Sequence, residues 1–186
     1  MKKEYATLRR KPFLTPIWLA AFAAFVVASV TIWLWGTATS TTVVLIRHAE
    51  KQINGGVDPA LNEAGEARAA LLARMLGNDT RPGRLDAIYV SPTRRSQETA
   101  APLAARLKIA VTVGPENDPK LLARRVLRER QGGHVLIVGH GNTIPQIVET
   151  LSGNGPVPPI EDEEYGTIYI VTIPRIGRAS ILRLSY

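Results

Sequence analysis

The chain has 186 residues and a formal net charge of +7, and 45% of its residues are hydrophobic. This length suits one domain with an appendage, and the composition is that of a globular protein, which excludes wholesale disorder. The sequence contains no cysteine, which excludes a disulfide scaffold, a cysteine nucleophile and a thiolate metal site. The positive charge is uneven, with +4 on residues 1–40 and +3 on residues 41–186. The larger part of the chain therefore lacks the basic excess of a nucleic-acid-binding protein, and we expect no nucleic-acid partner.

The first predicted element is a membrane-spanning helix. Residues 17–35 form an uncharged run of 19 residues, which as a helix is about 28 Å long, close to the thickness of a bilayer core. A cleaved signal peptide is the alternative, but its apolar region is usually only about 7–15 residues long. Five basic residues precede the run. We therefore expect a single-pass protein of the inner membrane with its N-terminus in the cytoplasm and the rest of the chain in the periplasm.

The remainder of the chain alternates between predicted strands and helices. The predicted organisation is a basic cytoplasmic tail at 1–16, a transmembrane anchor or uncleaved signal at 17–35, a linker at 36–41 and one folded domain at 42–186. The predicted strands of the domain lie at 41–47, 85–90, 109–113, 134–138, 166–173 and 179–185. The predicted helices between them run from the Asn62 cap to 76 and over 93–107, 118–130 and 143–151. This alternation predicts a three-layer α/β/α sandwich with a mainly parallel sheet.

Histidines and arginines follow three of the predicted strands. The first strand ends in Arg47 and His48, Arg95 comes shortly after the second, and His140 follows the fourth. Because chemistry in such sheets gathers at the carboxyl ends of the strands, we expect these side chains to share one edge. Arginine forks and helix N-termini bind phosphate, and a neutral imidazole can attack phosphorus to form a phosphohistidine. The pattern therefore indicates phosphoryl chemistry with a second, charged histidine binding the phosphoryl oxygens, and it requires no metal ion.

The same segments resemble the histidine phosphatase superfamily, branch 1, which includes the phosphoglycerate mutases. The resemblance covers most of the folded domain and is that of a short, membrane-anchored bacterial member. The matching segments, in order, are Arg47–Glu50, Asp58–Gly65, the Ser-x-x-x-Arg-x-x-x-Thr-Ala element at 91–100, Val138–Asn142 with the Asn-Thr-Ile-Pro continuation to 145, and the acidic stretch ending in Tyr at 161–165.

The resemblance implies roles for individual residues. His48 would be the nucleophile, and Arg47, Arg95 and His140 would complete the phosphate pocket. Asn142 would either bind the phosphate or cap the helix that follows it. On a helix, Arg94 points about 100° away from Arg95, so we interpret it as a surface charge. Thr99 lies one turn beyond Arg95, and we expect it to pack or to bond back to its own helix.

The general acid that protonates the leaving group is left open by the sequence. Glu116 is a candidate by position, although its surroundings do not match the mutase pattern, and Glu50 beside the nucleophile is the alternative. Either residue is also readily explained as a solvated carboxylate. A phosphoramidate or acyl phosphate, which has a good leaving group, would hardly need an acid. The domain is too short for the insertions with which mutases enclose a sugar phosphate, which argues against a mutase.

The sequence thus predicts a phosphomonoesterase that uses no metal or cofactor and acts outside the cytoplasm through a phosphohistidine on His48. The expected partners are a phosphorylated small molecule or envelope component, and the membrane through the N-terminal helix. Two alternatives remain, a protein phosphohistidine phosphatase and a degenerate module that binds anions without turnover. The oligomeric state is not indicated by the sequence.

Overall fold

The computed structural model describes residues 17–37, 39–78, 83–115 and 118–186. The chain divides into two units, Met1–Thr37 and Ala38–Tyr186. In the first unit, helix α1 spans Ile17–Thr37, and its part from Ile17 to Leu34 has a mean hydropathy of 2.2 with none of its surface buried. An apolar helix of this length near the N-terminus suits either a membrane anchor or a signal sequence. The predicted basic tail at 1–16 lies outside the described residues.

The predicted linker at 36–41 is longer than the segment that joins the two units. Helix α1 continues to Thr37, and strand β1 begins at Ser40. Strand β1 begins earlier than predicted because Ser40 and Thr41 already pair with residues 174 and 173 of an antiparallel strand. Only residues 38 and 39 therefore separate the two elements.

The second unit is a six-stranded mixed sheet covered by helices on both faces. Its strands are β1 (Ser40–Arg47), β2 (Ala87–Val90), β3 (Val111–Val113), β4 (His134–Gly139), β5 (Thr167–Pro174) and β6 (Ser180–Ser185). Its helices are α2 (Glu63–Leu76), α3 (Arg94–Leu107), α4 (Pro119–Glu129) and α5 (Thr143–Ser152). The strand order is β3-β2-β4-β1-β5-β6, in which the first four strands are parallel and the last two form the antiparallel hairpin. The predicted three-layer fold with a mainly parallel sheet is confirmed.

Alternate residues of the central strands supply the two halves of the core. Val43 and Leu45 of β1 face helices α4 and α5, whereas Val44 and Ile46 face α2 and α3. This is the expected outcome for a strand whose side chains point to opposite faces of a sheet that is covered on both sides. Burial on both faces places β1 and β4 at the centre of the unit, so their carboxyl ends are held rigidly.

Strand β3 begins two residues later than the sequence predicts. Lys108 adopts a left-handed conformation with φ of 56°, and the backbone N–H of Ile109 donates to the carbonyl of Ala104 at 3.0 Å. Ile109 therefore completes the C-terminus of α3 instead of joining the sheet. The local turn, which an apolar residue pattern does not reveal, decides this boundary.

Candidate active site

A cavity of about 510 Å³ opens where β1, β2 and β4 end. Its lining includes the five residues that the sequence placed there, Arg47, His48, Arg95, His140 and Asn142. Parallel strands bring these side chains together, because β1 pairs with β4 up to Arg47 and Gly139, and β2 pairs with β4 up to Val90 and Val138. The predicted juxtaposition is therefore present in the structure.

Two arginines in this cavity retain buried N–H groups that are free to bind a ligand. Only 4% of the Arg47 side chain and 16% of the Arg95 side chain are exposed. The Nε atoms of both are buried and have no hydrogen-bond partner among the described residues. A buried donor without a partner is costly unless a ligand or water satisfies it. Fixed positive charge with free donors is suited to an anion such as phosphate.

His48 is held as a neutral imidazole with one free ring nitrogen. It is 3% exposed, and its Nδ1 lies 2.8 Å from the carbonyl oxygen of Ala49. A carbonyl can only accept a hydrogen bond, so Nδ1 carries the proton and Nε2 keeps its lone pair. Burial, and then the charges of Arg95 and other neighbours, lower the pKa of His48 to about 3. The imidazole is therefore uncharged at neutral pH, which nucleophilic attack requires.

His140 is also neutral in this pocket, which differs from the charged state expected from the sequence. Arg95 Nη2 donates to His140 Nε2 at 2.9 Å, so that nitrogen must be an acceptor. Burial and then the positive charges of Arg95 and Arg47 lower the pKa of His140 to about 4. The ring packs edge-on against His48, with 5.3 Å between the ring centroids. The two histidines and Arg95 thus form one contiguous surface.

Thr99 connects the nucleophile loop to the helix that carries Arg95. Its side-chain oxygen accepts a hydrogen bond from the backbone N–H of Ala49 at 3.0 Å and donates to the carbonyl of Arg95 at 2.7 Å. The second bond is the predicted bond back to its own helix, and the first was not predicted. Arg94 points away as expected, because its side chain is exposed and pairs with Glu98.

An acidic segment forms one wall of the cavity, and the sequence did not predict a functional role for it. Residues 160–165, which we call the acidic strap, place Glu161, Asp162 and Glu163 along the cavity opposite Lys51. Arg47 donates to the carbonyl oxygen of Glu161 and, from Nη2, to Asp162 Oδ1 at 3.1 Å. The ring of Tyr165 lies 4.6 Å from the guanidinium carbon of Arg47. The acidic run was visible in the sequence, but no spacing rule linked it to Arg47.

The chain was compared with known families and structures. A model of the histidine phosphatase superfamily, branch 1, matches residues 43–118. The matched segment makes up about two fifths of the chain and contains Arg47, His48 and Arg95. Phosphoserine phosphatase 1 of Hydrogenobacter thermophilus is 37% identical to it over 75 residues, which cover 37% of this chain and 34% of that protein. The match thus spans about a third of the relative's length.

Solved structures share the fold of this chain. The protein histidine phosphatase SixA, determined with tungstate, matches with a TM-score of 0.64 and 21% identity over 77% of this chain and 96% of that chain. The phosphoserine phosphatase of Entamoeba histolytica, determined with 3-phosphoglyceric acid, matches with a TM-score of 0.55 and 18% identity over 78% of this chain and 97% of that chain. The solved structures show that the chain has the fold of these phosphatases.

Of the two candidates for the general acid, the structure describes only Glu50. Glu50 is not in the cavity lining, and Arg68 holds its carboxylate with a contact of 2.6 Å from Nη2 to Oε1. Hydrogen bonding from Arg68 is the main cause that lowers the pKa of Glu50. A carboxylate stabilised in its charged form is a poor proton donor, so the structure argues against Glu50. Glu116 lies outside the described residues.

Asn142 is better explained as a ligand-binding residue than as a helix cap. It occupies the N-cap position of α5, but its side chain makes no capping hydrogen bond. The carbonyl oxygen of His140 serves that end of the helix instead, since it accepts from the backbone N–H groups of Thr143 at 3.2 Å and Ile144 at 3.0 Å. The Asn142 amide remains in the cavity wall, where it can donate to an anion.

Proposed function

We propose that this chain is a metal-independent phosphomonoesterase that acts through a phosphohistidine intermediate on His48. The observation that carries the proposal is the pairing of a neutral His48, with its Nε2 lone pair free, and two buried arginine Nε donors without partners. A nucleophile and unsatisfied cationic donors in one cavity are what phosphoryl transfer requires of a protein.

The proposed reaction has two steps. Arg47 and Arg95 bind the phosphoryl oxygens, and His48 Nε2 attacks phosphorus while the bond from phosphorus to the ester oxygen breaks. The leaving oxygen takes a proton and departs as an alcohol. Water then attacks phosphorus, the bond to Nε2 breaks, and inorganic phosphate is released. A bound phosphate dianion stabilises the protonated form of His140. We therefore expect His140 to be charged in the complex with phosphate, as the sequence predicts, and neutral in the free pocket.

The decisive test is phosphate release from p-nitrophenyl phosphate by the full chain in detergent, with and without EDTA. We expect turnover that is insensitive to EDTA, and a ³²P-labelled, acid-labile phosphoenzyme after rapid quenching. The His48→Ala variant should lose both signals, with at least about a 10⁴-fold drop in rate. Full-rate hydrolysis by this variant would refute the nucleophile assignment. Binding of vanadate without turnover in the unmodified chain would favour the non-catalytic anion-binding module instead.

We further propose that α1 anchors the chain in the inner membrane with the catalytic unit in the periplasm. The apolar length of α1 and the basic residues before it support this arrangement. Alkaline phosphatase and green fluorescent protein fused after residue 186 should be active and dark, respectively. The opposite result would place the catalytic unit in the cytoplasm, where a protein phosphohistidine substrate, as in the SixA description, would become the better proposal.

A further inference from the structure

The acidic strap is built into the wall of the catalytic cavity. The backbone N–H of Ile160 donates to the carbonyl of Gly141 at 3.0 Å, directly after the second histidine. A Cβ atom at Gly141 would lie only 2.5 Å from the Ile160 carbonyl oxygen, so the two segments are in close backbone contact. Together with the bonds from Arg47 to residues 161 and 162, this contact fixes the strap at the cavity mouth.

The four acidic residues of the strap differ in whether they have a partner. Asp162 pairs with Arg47, and Glu164 pairs with Arg183 outside the cavity. Glu161 and Glu163 both line the cavity, and their carboxylates have no ion-pair partner among residues 39–78, 83–115 and 118–186. Two carboxylates without cationic partners therefore stand beside a pocket that is built to receive a phosphate dianion.

This arrangement divides the cavity into two electrostatic halves. The donors free for phosphate, Nε of Arg47 and Nε of Arg95, belong to one half, whereas both Nη atoms of Arg47 are held by the strap. The other half continues into an adjoining cavity of about 260 Å³ whose lining includes Lys51, Asp162 and Glu163. In that half Arg47 neutralises Asp162, and Glu161 and Glu163 stand against Lys51 alone. The remaining negative charge disfavours a further anion and favours a cation.

We infer that the substrate's leaving group carries an ammonium or other cationic group close to the ester oxygen. The substrate class is then the phosphate monoesters of amino alcohols, with the phosphate on the two arginines and the cation against Glu161 and Glu163. This inference rests on the proposed phosphatase function, and it adds a charge requirement that the phosphate pocket alone does not impose.

The test compares three small alkyl phosphates that differ chiefly in charge. The full chain in detergent is assayed for kcat/KM with phosphoethanolamine, which carries an ammonium, ethyl phosphate, which is neutral beyond the phosphate, and phosphoglycolate, which carries a carboxylate. We expect phosphoethanolamine to exceed ethyl phosphate by about fivefold to tenfold and phosphoglycolate to fall below it by a similar factor, as suits exposed charge pairs. Because such pairs are screened, the ratios should shrink in 0.5 M salt.

Variants assign the preference to the strap. Glu161→Gln with Glu163→Gln should bring the ratio of phosphoethanolamine to ethyl phosphate close to one, whereas Lys51→Met should raise it. Glu63→Gln with Glu66→Gln, which removes the same two charges from exposed positions on α2, should leave the ratio unchanged. If p-nitrophenyl phosphate is hydrolysed but the three alkyl phosphates react equally, or the double variant keeps the preference, the inference is wrong. If no phosphate ester is hydrolysed, the proposed function itself fails.

Discussion

Two groups of buried arginines in this protein differ in whether the protein itself occupies all of their hydrogen-bonding nitrogens. Arg68 is saturated by the protein: Nε and Nη2 hold the Glu50 carboxylate, and Nη1 donates to the carbonyl of Tyr186 at 3.0 Å. Arg47 and Arg95 are similarly or more deeply buried, yet each keeps an Nε donor without a partner among the described residues. The difference distinguishes an arginine that stabilises the fold from arginines that wait for a ligand.

Substitution of Arg95 should reduce activity more than the other changes considered below, and it tests the proposed ligand-binding arginines directly. In Arg95→Lys, a compact ammonium replaces the planar guanidinium and cannot bind the phosphoryl oxygens with two parallel hydrogen bonds. We expect kcat/KM for p-nitrophenyl phosphate to fall about 10²- to 10³-fold, by analogy with the loss of one transition-state donor. Arg94→Lys, one residue away but exposed, should stay within about twofold. Near-normal activity of Arg95→Lys would show that Arg95 does not bind the phosphoryl group.

The burial of His48, reinforced by the charge of Arg95, also predicts an acid-sensitive fold. The pKa of His48 is lowered from its ordinary 6.5 to about 3, so the unfolded chain binds the proton more readily than the folded chain. The stability contributed by neutral His48 is therefore present above pH 6.5 and is lost as the pH falls from 6.5 toward 3. The loss amounts to about 2 kcal/mol by pH 5.

Urea unfolding at several pH values checks this expectation. The His48→Gln variant should lose less free energy of unfolding between pH 7 and pH 5 than the unmodified chain. His134→Gln, at the amino end of β4 and outside the cavity, is the matched control and should retain the full slope. Equal slopes for all three proteins would show that the buried histidine does not determine acid sensitivity.

Thr99 links the ligand-binding arginine to the nucleophile, and its substitution should have a smaller effect. Thr99→Val keeps the shape but leaves the Ala49 N–H, which the hydroxyl now satisfies, without an acceptor. We expect kcat to fall about tenfold with little change in KM, because a small misplacement of His48 slows attack more than it weakens binding. Thr99→Ser should restore the rate. A loss of stability without a change in kcat at 20 °C would make Thr99 a structural residue only.

The contrast between the arginine groups also explains what the sequence could predict. Arg47, His48, Arg95 and His140 follow strand ends or begin a helix within recognisable local motifs, so their convergence follows from a parallel sheet. The saturation of Glu50 could not be predicted, since it depends on the rotamer of Arg68 eighteen residues away. The strap was equally inaccessible, because an irregular loop carries it to Arg47 across more than a hundred residues.

Glu50→Gln tests the saturated pair and should have the smallest effect on catalysis. The pair is largely buried, with 24% of the Arg68 side chain and 16% of the Glu50 side chain exposed. Neutralising Glu50 leaves the Arg68 charge with weaker acceptors, so the free energy of unfolding should fall by about 1–3 kcal/mol. Glu129→Gln, which removes an exposed pair with Arg125, should destabilise the fold less than Glu50→Gln does. Glu50→Gln should leave kcat unchanged for both p-nitrophenyl phosphate and ethyl phosphate. A collapse of the ethyl phosphate rate alone would instead identify Glu50 as the proton donor, because only the poor leaving group depends on one.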